Sequence, residues 1–336
     1  MKQDKILLEH GGGGLLSNEL IAQLFLPRFR NPFLERLEDS AILNIGHQKL
    51  CFTTDSYVVS PAFFPGGNIG SLAVCGTVND LAVCGSKPLF LSCGVIVEEG
   101  FPMVSLETIL DTMAEKAAEA GVQIVTGDTK VVVRGAADGI FINTSGIGLI
   151  EYPAPLSVKS IVPGDVVIVN GTLGDHGAAI ISARENLSLS SELNSDTAPL
   201  NGLIADIFQA SSNIHCMRDA TRGGLGAILA EIAKSAQVCL DIDEKNIPVQ
   251  DNVRGICEIL GFDPLYLANE GKMVVFCAES DARTVLQAMQ KHPYGRNAAF
   301  IGRVSSSSAG RVVLKTAIGG ERMIDLPMGE LVPRIC

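Results

Sequence analysis

The chain has 336 residues, room for two ordinary domains, and its composition, 47% hydrophobic and 19% charged with 35 glycines, is that of a well-packed globular protein rich in tight turns. A formal charge of -11, with no cluster of lysine and arginine, argues against nucleic acid, because neutralising phosphates takes a basic surface. No apolar stretch reaches the ~20 residues that cross a bilayer, and the opening MKQDKILLEHGGGG is too polar for a secretory signal, so the expected setting is the cytoplasm, without membrane contact.

In chain order, HGGGG (His10 to Gly14) precedes an apolar helical pattern at Leu20, Ile21, Leu24 and Phe25. Consecutive glycines carry no Cβ, so their backbone can approach a ligand closely and point several N–H groups at an anion; a flexible linker is the competing role. The run CFTT from Cys51 predicts a strand that ends at Asp55. A helix is expected over 71–84, closed by Gly85 and carrying Asn79 and Asp80 in an otherwise apolar stretch. Leu106, Ile109, Leu110, Met113 and Ala117 recur at helical spacing, with Ser105 as the expected cap and Gly121 as the stop. The strand VQIVT then leads into Gly127, Asp128, Thr129 and Lys130.

The proline-bearing run EYPAPLSVKS marks the expected domain boundary, giving domains at 1–155 and 156–324 and a mobile tail at 325–336. The second half begins with the strand DVVIVNG, then the turn GTLGDHG and a polar loop near 186–198. RDATRGG (Arg218 to Gly224) precedes a helix whose apolar face is Leu225, Ile228, Leu229 and Ile232, with Thr221 as the expected cap. ANEGK (Ala268 to Lys272) leads into the strand MVVFCA; a helix over 281–290 and the strand RVVLKT complete the half. Strands and helices intermix throughout, so the expected class is α+β with mixed sheets.

Neither GxxxxGK[ST] nor GxGxxG is present, so a nucleotide has to be held in another way. Asp55, Asp80 and Asp128 offer one, since Mg2+ takes carboxylate oxygens together with substrate phosphates; each alone is more often a turn residue. Asp128 is strengthened by GDTK, where Thr129 and Lys130 add a hydroxyl and an ammonium suited to phosphate. Glu270 is a candidate proton acceptor, against the commoner role of a surface turn carboxylate. His176 and Arg222 lie in glycine-rich turns that permit close backbone approach. No two histidines have ligand spacing, which excludes a zinc site of the familiar kind. The nine cysteines include no CxxC pair and read as reduced thiols, mostly small core residues, but Cys336 is the last residue, where burial is not expected.

Taken together and in order, HGGGG, TTDSYVVSPAFFPGGNIG, GTVNDLAVCG, TGDTKVVVRGAADGIFINT, NGTLGDHGAA, RDATRGGL, ANEGK and the terminal PRIC resemble the HypE family of hydrogenase maturation proteins. That family is part of a larger group with aminoimidazole ribonucleotide synthetase, selenophosphate synthetase and thiamine-monophosphate kinase. The resemblance implies two α+β domains, a homodimer formed through the N-terminal domains, and ATP in the cleft. It further implies that Cys336 is carbamoylated by HypF, that the thiocarboxamide is dehydrated with ATP to a thiocyanate, and that cyanide passes to iron on a HypC–HypD complex.

Carried over by position, Cys336 resembles the covalent carrier, Asp55, Asp80 and Asp128 the Mg-ATP carboxylates, and Gly11, Gly12, Gly13 and Gly14 the loop over the phosphates. Lys130 would neutralise phosphoryl charge, with Glu270 as the base and His10 as a second candidate. Two rivals are a kinase or synthetase of the same group acting on a free small molecule, which leaves PRIC without a role, and a non-catalytic ATP-binding scaffold for metallocentre assembly. Deleting Cys336 discriminates the first, because chemistry on a free substrate survives it.

Overall fold

Along residues 48–57 burial alternates, with Cys51, Thr53 and Tyr57 inside and Phe52, Thr54 and Ser56 outside, as in a strand with one covered face. In the computed structural model, which describes residues 7, 10, 14–152, 156–185, 193–329 and 332–336, this strand belongs to a five-stranded sheet. The N-terminal half opens with short helices α1 (Leu15–Leu20) and α2 (Leu26–Phe29), joined by a π-helical turn. Strands β1 (Ala41–Ile45), β2 (Gln48–Tyr57), the small hairpin β3 (Phe63–Phe64) and β4 (Gly67–Asn68), β5 (Ser86–Glu98), β6 (Gln123–Val132) and β7 (Ile140–Ile150) follow. Helix α3 (Ile69–Val83) precedes β5, and α4 (Met103–Ala120) precedes β6. The sheet order is β1-β2-β7-β5-β6, antiparallel except for β5 and β6.

The C-terminal half contains β8 (Val166–Val169), α5 (Asp175–Glu185), α6 (Asn201–Ala210), β9 (Ile214–Asp219), α7 (Gly224–Ala236) and β10 (Cys239–Asp243). It continues with α8 (Asp251–Leu260), β11 (Met273–Cys277), α9 (Glu279–Lys291), β12 (Ala299–Ser305), β13 (Arg311–Lys315) and β14 (Glu321–Ile324). Its seven strands are ordered β14-β13-β10-β12-β8-β11-β9, with β10 and β13 parallel. The class is therefore α+β with mixed sheets, as expected. Among the described residues no helix is long and apolar enough to cross a membrane.

Helix α3 is apolar all round because it is covered all round: every residue except Asp80 is buried. It packs on β2, β5, β7 and α4 on one side and on α6 and β9 of the other half on the other. Asn68 caps it through the N–H groups of Gly70 and Ser71, so it starts at Ile69, earlier than the expected 71. Helix α4 buries Ile109, Met113 and Ala117 and stops at left-handed Gly121, as expected, but leaves Leu110 44% exposed at the edge of that face.

Other expected boundaries moved. Ser105 lies inside α4, which starts after Pro102 without a side-chain cap. Thr221 caps nothing with its side chain; its carbonyl accepts from Gly224 N at 2.9 Å, and Gly223 and Gly224, both at positive φ, turn the chain into α7. Asp55 and Asp128 sit within strands rather than at their ends, because pairing with β7 continues to Tyr57 and pairing with β5 continues to Val132.

Candidate active site

The last residues of the chain are docked. Ile335 and Cys336 are 3% and 8% exposed and join the apolar cluster of Tyr57, Phe64, Ile180 and Ala268. Val58 N–H donates to a main-chain carboxylate oxygen of Cys336 at 3.0 Å, and Ser60 N–H to the Arg334 carbonyl at 3.2 Å. Arg184 of α5 donates to the Ser60 and Arg334 carbonyls, each at 2.5 Å, and His176 Nε2 meets the Ile335 carbonyl at 2.7 Å. Arg334 adopts φ 52°, a conformation that costs an L-residue about 1–2 kcal/mol. Its side chain offsets that cost by donating to the Val58 carbonyl at 2.9 Å, pairing with Asp138 and lying 5.9 Å over the Phe141 ring. The terminal cysteine is thus buried, although nothing in its sequence position predicts it.

On the same side, carboxylates gather. Asp55 shares the inner face of β2 with Thr53 and Tyr57, and Thr53 Oγ1 donates to Asp80 Oδ2 at 2.9 Å. Asp219 ends β9, and Asp39 lies 2.5 Å from Arg218 Nε. Burial pushes the Asp219 carboxyl up to about 7, with Asp39 adding to it, and pushes Asp39 up to about 6 against the pull of Arg218. Burial, with the charges of Asp219, Asp39 and Asp55, raises Asp80 well above the usual carboxylate range. An all-oxygen cluster that repels itself fits a hard divalent cation such as Mg2+. Among the described residues no three potential ligands converge on one point, so such an ion would take its remaining oxygens from phosphate and water.

Asp39, Asp219 and Arg222 border a cavity of about 330 Å3 together with His10, Thr221 and Glu231. Arg222 Nη2 is 3.9 Å from Asp55, and the charges of Cys336, Asp55 and Glu270 strengthen its hold on its proton. Neither Asp39 nor Asp219 is among the residues that the sequence singles out; the signal for Asp219 is a carboxylate that closes a strand just before a glycine-rich turn.

Glu270 is not a surface turn residue. It is 3% exposed, and among the described residues its Oε1 is buried without a hydrogen-bond partner. Burial first, then the charges of Asp196, Asp55 and Asp219, raise its carboxyl well above the ordinary glutamate range, against the opposing effect of Arg222. Asn269 positions the turn by accepting from Gly174 N at 2.8 Å and donating to the Ala220 carbonyl at 2.7 Å.

Asp128, Thr129 and Lys130 lie elsewhere within one protomer. Asp128 registers with Gly94 and Lys130 with Ile96, on the sheet face opposite Cys93, Val95 and Val97. Asp55 is on the inner face three strand spacings away, about 14 Å along the sheet. Lys130 Nζ holds Asp128 at 2.6 Å, and that contact keeps the carboxyl below its ordinary range. Gly11, Gly12 and Gly13 lie outside the described residues. Gly14 touches the root of the tail: a Cβ there would meet the Pro327 carbonyl oxygen at 2.4 Å, the same atom that accepts from Leu15 N at 3.0 Å.

Residues 37–150 match the family model of AIR synthase related protein, N-terminal domain, and residues 162–315 that of the C-terminal domain. A carbamoyl dehydratase HypE of Rhodobacter capsulatus is 50% identical over 339 residues, covering 100% of this chain and 99% of its own length. The carbamoyl dehydratase HypE of Escherichia coli (strain K12) is 47% identical, covering 99% of this chain and 100% of its own. A solved HypE–HypF complex contains a chain with TM-score 0.87 at 48% identity, covering 92% of this chain and 99% of that one. A HypE structure in complex with ATP superposes with TM-score 0.84 at 46% identity, covering 99% and 100%. A thiamine monophosphate kinase of Aquifex aeolicus, 17% identical with TM-score 0.68, shares the fold.

Proposed function

The chain belongs to the AIR synthase related family, among its HypE carbamoyl dehydratases, and on that premise we propose that it converts an S-carbamoyl group on its own Cys336 to a thiocyanate at the expense of ATP. The observation that carries this reading is the docked tail, which holds Cys336 beside Arg222 in the cleft that also contains Glu270 and the carboxylate cluster. A free small-molecule substrate would leave that clasp without a purpose.

A carboxamide oxygen is a poor leaving group, so it is first turned into a phosphate ester. The oxygen of the Cys336 thiocarboxamide attacks the γ-phosphorus of ATP, one nitrogen proton leaves, and ADP departs. Loss of the second nitrogen proton then forms the C≡N bond, breaks the C–O bond and expels phosphate. Glu270 is the candidate acceptor for a nitrogen proton: it is buried, and the raised affinity for protons matches its carboxylate to a weak acid better than an ordinary glutamate. His10 borders the adjoining cavity and is the second candidate. Burial of the tail excludes water that would hydrolyse the phosphorylated intermediate. Asp55, Asp80 and Asp219 would hold Mg2+, whose role when bound is to neutralise the phosphoryl oxygens.

A homodimer completes the site in this reading. The outer face of the five-stranded sheet leaves Phe52, Phe90, Ile96 and Ile147 about 40% exposed, and β6 is exposed along nearly its whole length. Pairing two such faces would bring Asp128 and Lys130 of one protomer to the phosphates in the cleft of its partner. HypF supplies the carbamoyl group and a HypC–HypD complex takes the cyanide, in the cytoplasm. The test is to incubate the full-length protein with HypF, carbamoyl phosphate and ATP and to weigh the C-terminal peptide. A carbamoyl adduct on Cys336, followed by loss of one water from it, is expected. ATP turnover on a free substrate that survives deletion of Cys336 would overturn the reading in favour of a small-molecule kinase or synthetase.

A further inference from the structure

The polar run before Ala198 is expected to be loop, yet Leu193, Thr197 and Ala198 are buried and Ser195 and Asp196 are at most half-exposed. The side chains of Ser195, Asp196 and Thr197 serve two neighbours. Ser195 Oγ is 2.8 Å from His176 Nδ1 and 2.6 Å from Thr197 Oγ1, and the other nitrogen of that fully buried ring meets the Ile335 carbonyl. A carbonyl only accepts, so Nε2 carries the proton, and burial, which lowers the affinity of the ring for a second one, leaves Nδ1 to accept from the Ser195 hydroxyl. Ser195 Oγ in turn accepts from Thr197 N–H at 3.2 Å. The result is one directed chain from Thr197 through Ser195 and His176 to the tail.

Asp196, between them, serves the other neighbour. Its carboxylate accepts from Glu270 N at 3.1 Å, Gly271 N at 3.2 Å and Lys272 Nζ at 2.8 Å. Gly271 has to be glycine for this approach, since a Cβ there would lie 1.9 Å from the Asp196 carbonyl oxygen. The segment is also tied to the N-terminal half: Ser195 N–H donates to the Pro65 carbonyl at 2.8 Å, and Asn79 Nδ2 to the Ala198 carbonyl at 3.1 Å.

We propose that His176 and the segment Ser195–Thr197 form the positioning element that sets the substrate-bearing tail in register with Glu270. Ser195 and Thr197 hold the tail through His176, while Asp196 holds the backbone of Glu270, so a single run of three residues fixes both reacting partners relative to each other. His176 recognises a main-chain carbonyl, and with Arg184, Ser60 and Val58 it satisfies the main-chain oxygens of Arg334, Ile335 and Cys336 in succession. This assignment rests on Cys336 as carrier and Glu270 as base.

The test uses the full-length protein and alkylation of Cys336 by iodoacetamide, followed by mass measurement of the C-terminal peptide, because a docked tail shields its thiol. His176→Ala is expected to label about five- to ten-fold faster at Cys336, the loss of one buried hydrogen bond, with Cys75 and Cys216 still protected. His176→Gln, whose amide can donate to the same carbonyl, should restore much of the protection, and Ser195→Ala should fall between. Carbamoylated His176→Ala should also dehydrate more slowly in a single turnover while its affinity for ATP stays that of the wild type. Labelling of Cys336 at the wild-type rate in His176→Ala overturns the proposal. If that variant exposes Cys75 and Cys216 as well, Ser195→Ala is the variant read, and wild-type labelling in it overturns the proposal equally. Failure of the underlying reading is a separate result: wild-type Cys336 protected from iodoacetamide but never carrying an adduct with HypF, carbamoyl phosphate and ATP.

Discussion

The two faces of the N-terminal sheet hold aspartates with opposite electrostatics. On the outer face Asp128 is exposed, held by Lys130, and kept below its ordinary range. On the inner side Asp80, in the helix that covers the sheet, is raised far above that range by burial and by the charges of Asp219, Asp39 and Asp55. The residue type is the same; Asp128 stands on an open strand face and Asp80 in the helix that covers the opposite face, and the burial decides. The outer pair is complete in itself, whereas the inner cluster carries more negative charge than the surrounding protein neutralises, the condition under which a cation or the cationic side chain of another copy becomes part of the fold.

The comparison can be broken or sharpened by experiment. Glu270→Gln, on the inner side, should slow dehydration about 100- to 10,000-fold while the carbamoyl adduct on Cys336 still forms, read by peptide mass. Next in size is a mixing experiment: Lys130→Ala and Glu270→Gln homodimers are each inactive, and equal mixing with exchange should restore about a quarter of wild-type activity if the outer face serves the partner's cleft. No recovery despite exchange would confine Lys130 to its own protomer.

A third measurement is the pH profile of dehydration. A base works ionised, so with the Glu270 affinity for protons raised, the rate should climb with pH through a value well above that of an ordinary glutamate. Asp196→Asn removes the largest charge contribution to that rise and should move the limb to lower pH. The smallest effects are in thermal midpoints. A carboxyl raised in the folded state penalises folding above its unfolded pKa, so Asp80→Asn should raise the midpoint of the ligand-free protein at pH 8, by about 2–4 °C for each kcal/mol relieved, and abolish the further rise with Mg-ATP. Lys130→Ala should leave the ligand-free midpoint unchanged, since both partners of its ion pair are about two-thirds exposed.

Much of the site was legible along the chain because a polar residue inside an apolar run is a local signal. Asp80 was found that way, Asp55 as the carboxylate that follows an apolar strand pattern and Glu270 as the acid of ANEGK before β11, and the helical spacing of α4 gave Ile109, Met113 and Ala117 of its buried face. Ser195–Thr197 was not, because hydroxyl and carboxyl side chains in a run without periodicity read as solvated loop, and only the packing of His176 and Lys272 against them gives them partners. Asp39 and Asp219 were passed over for a similar reason: burial raises both carboxyls, and Asp39 raises Asp219 further, across elements distant in sequence.

The sequence by itself determined the α+β class, most of the elements and the presence of a thiol at the last position, since these follow from local periodicity, turn residues and order. Only the tertiary structure decided which face of β6 carries Asp128 and Lys130, that Glu270 is buried, and that Cys336 is clasped in the cleft. The physical reason is the same in each case. A pleat has two equivalent faces until a neighbouring strand and a covering helix distinguish them, and neither burial nor a hydrogen-bond partner belongs to a residue until elements far away in the chain have packed around it.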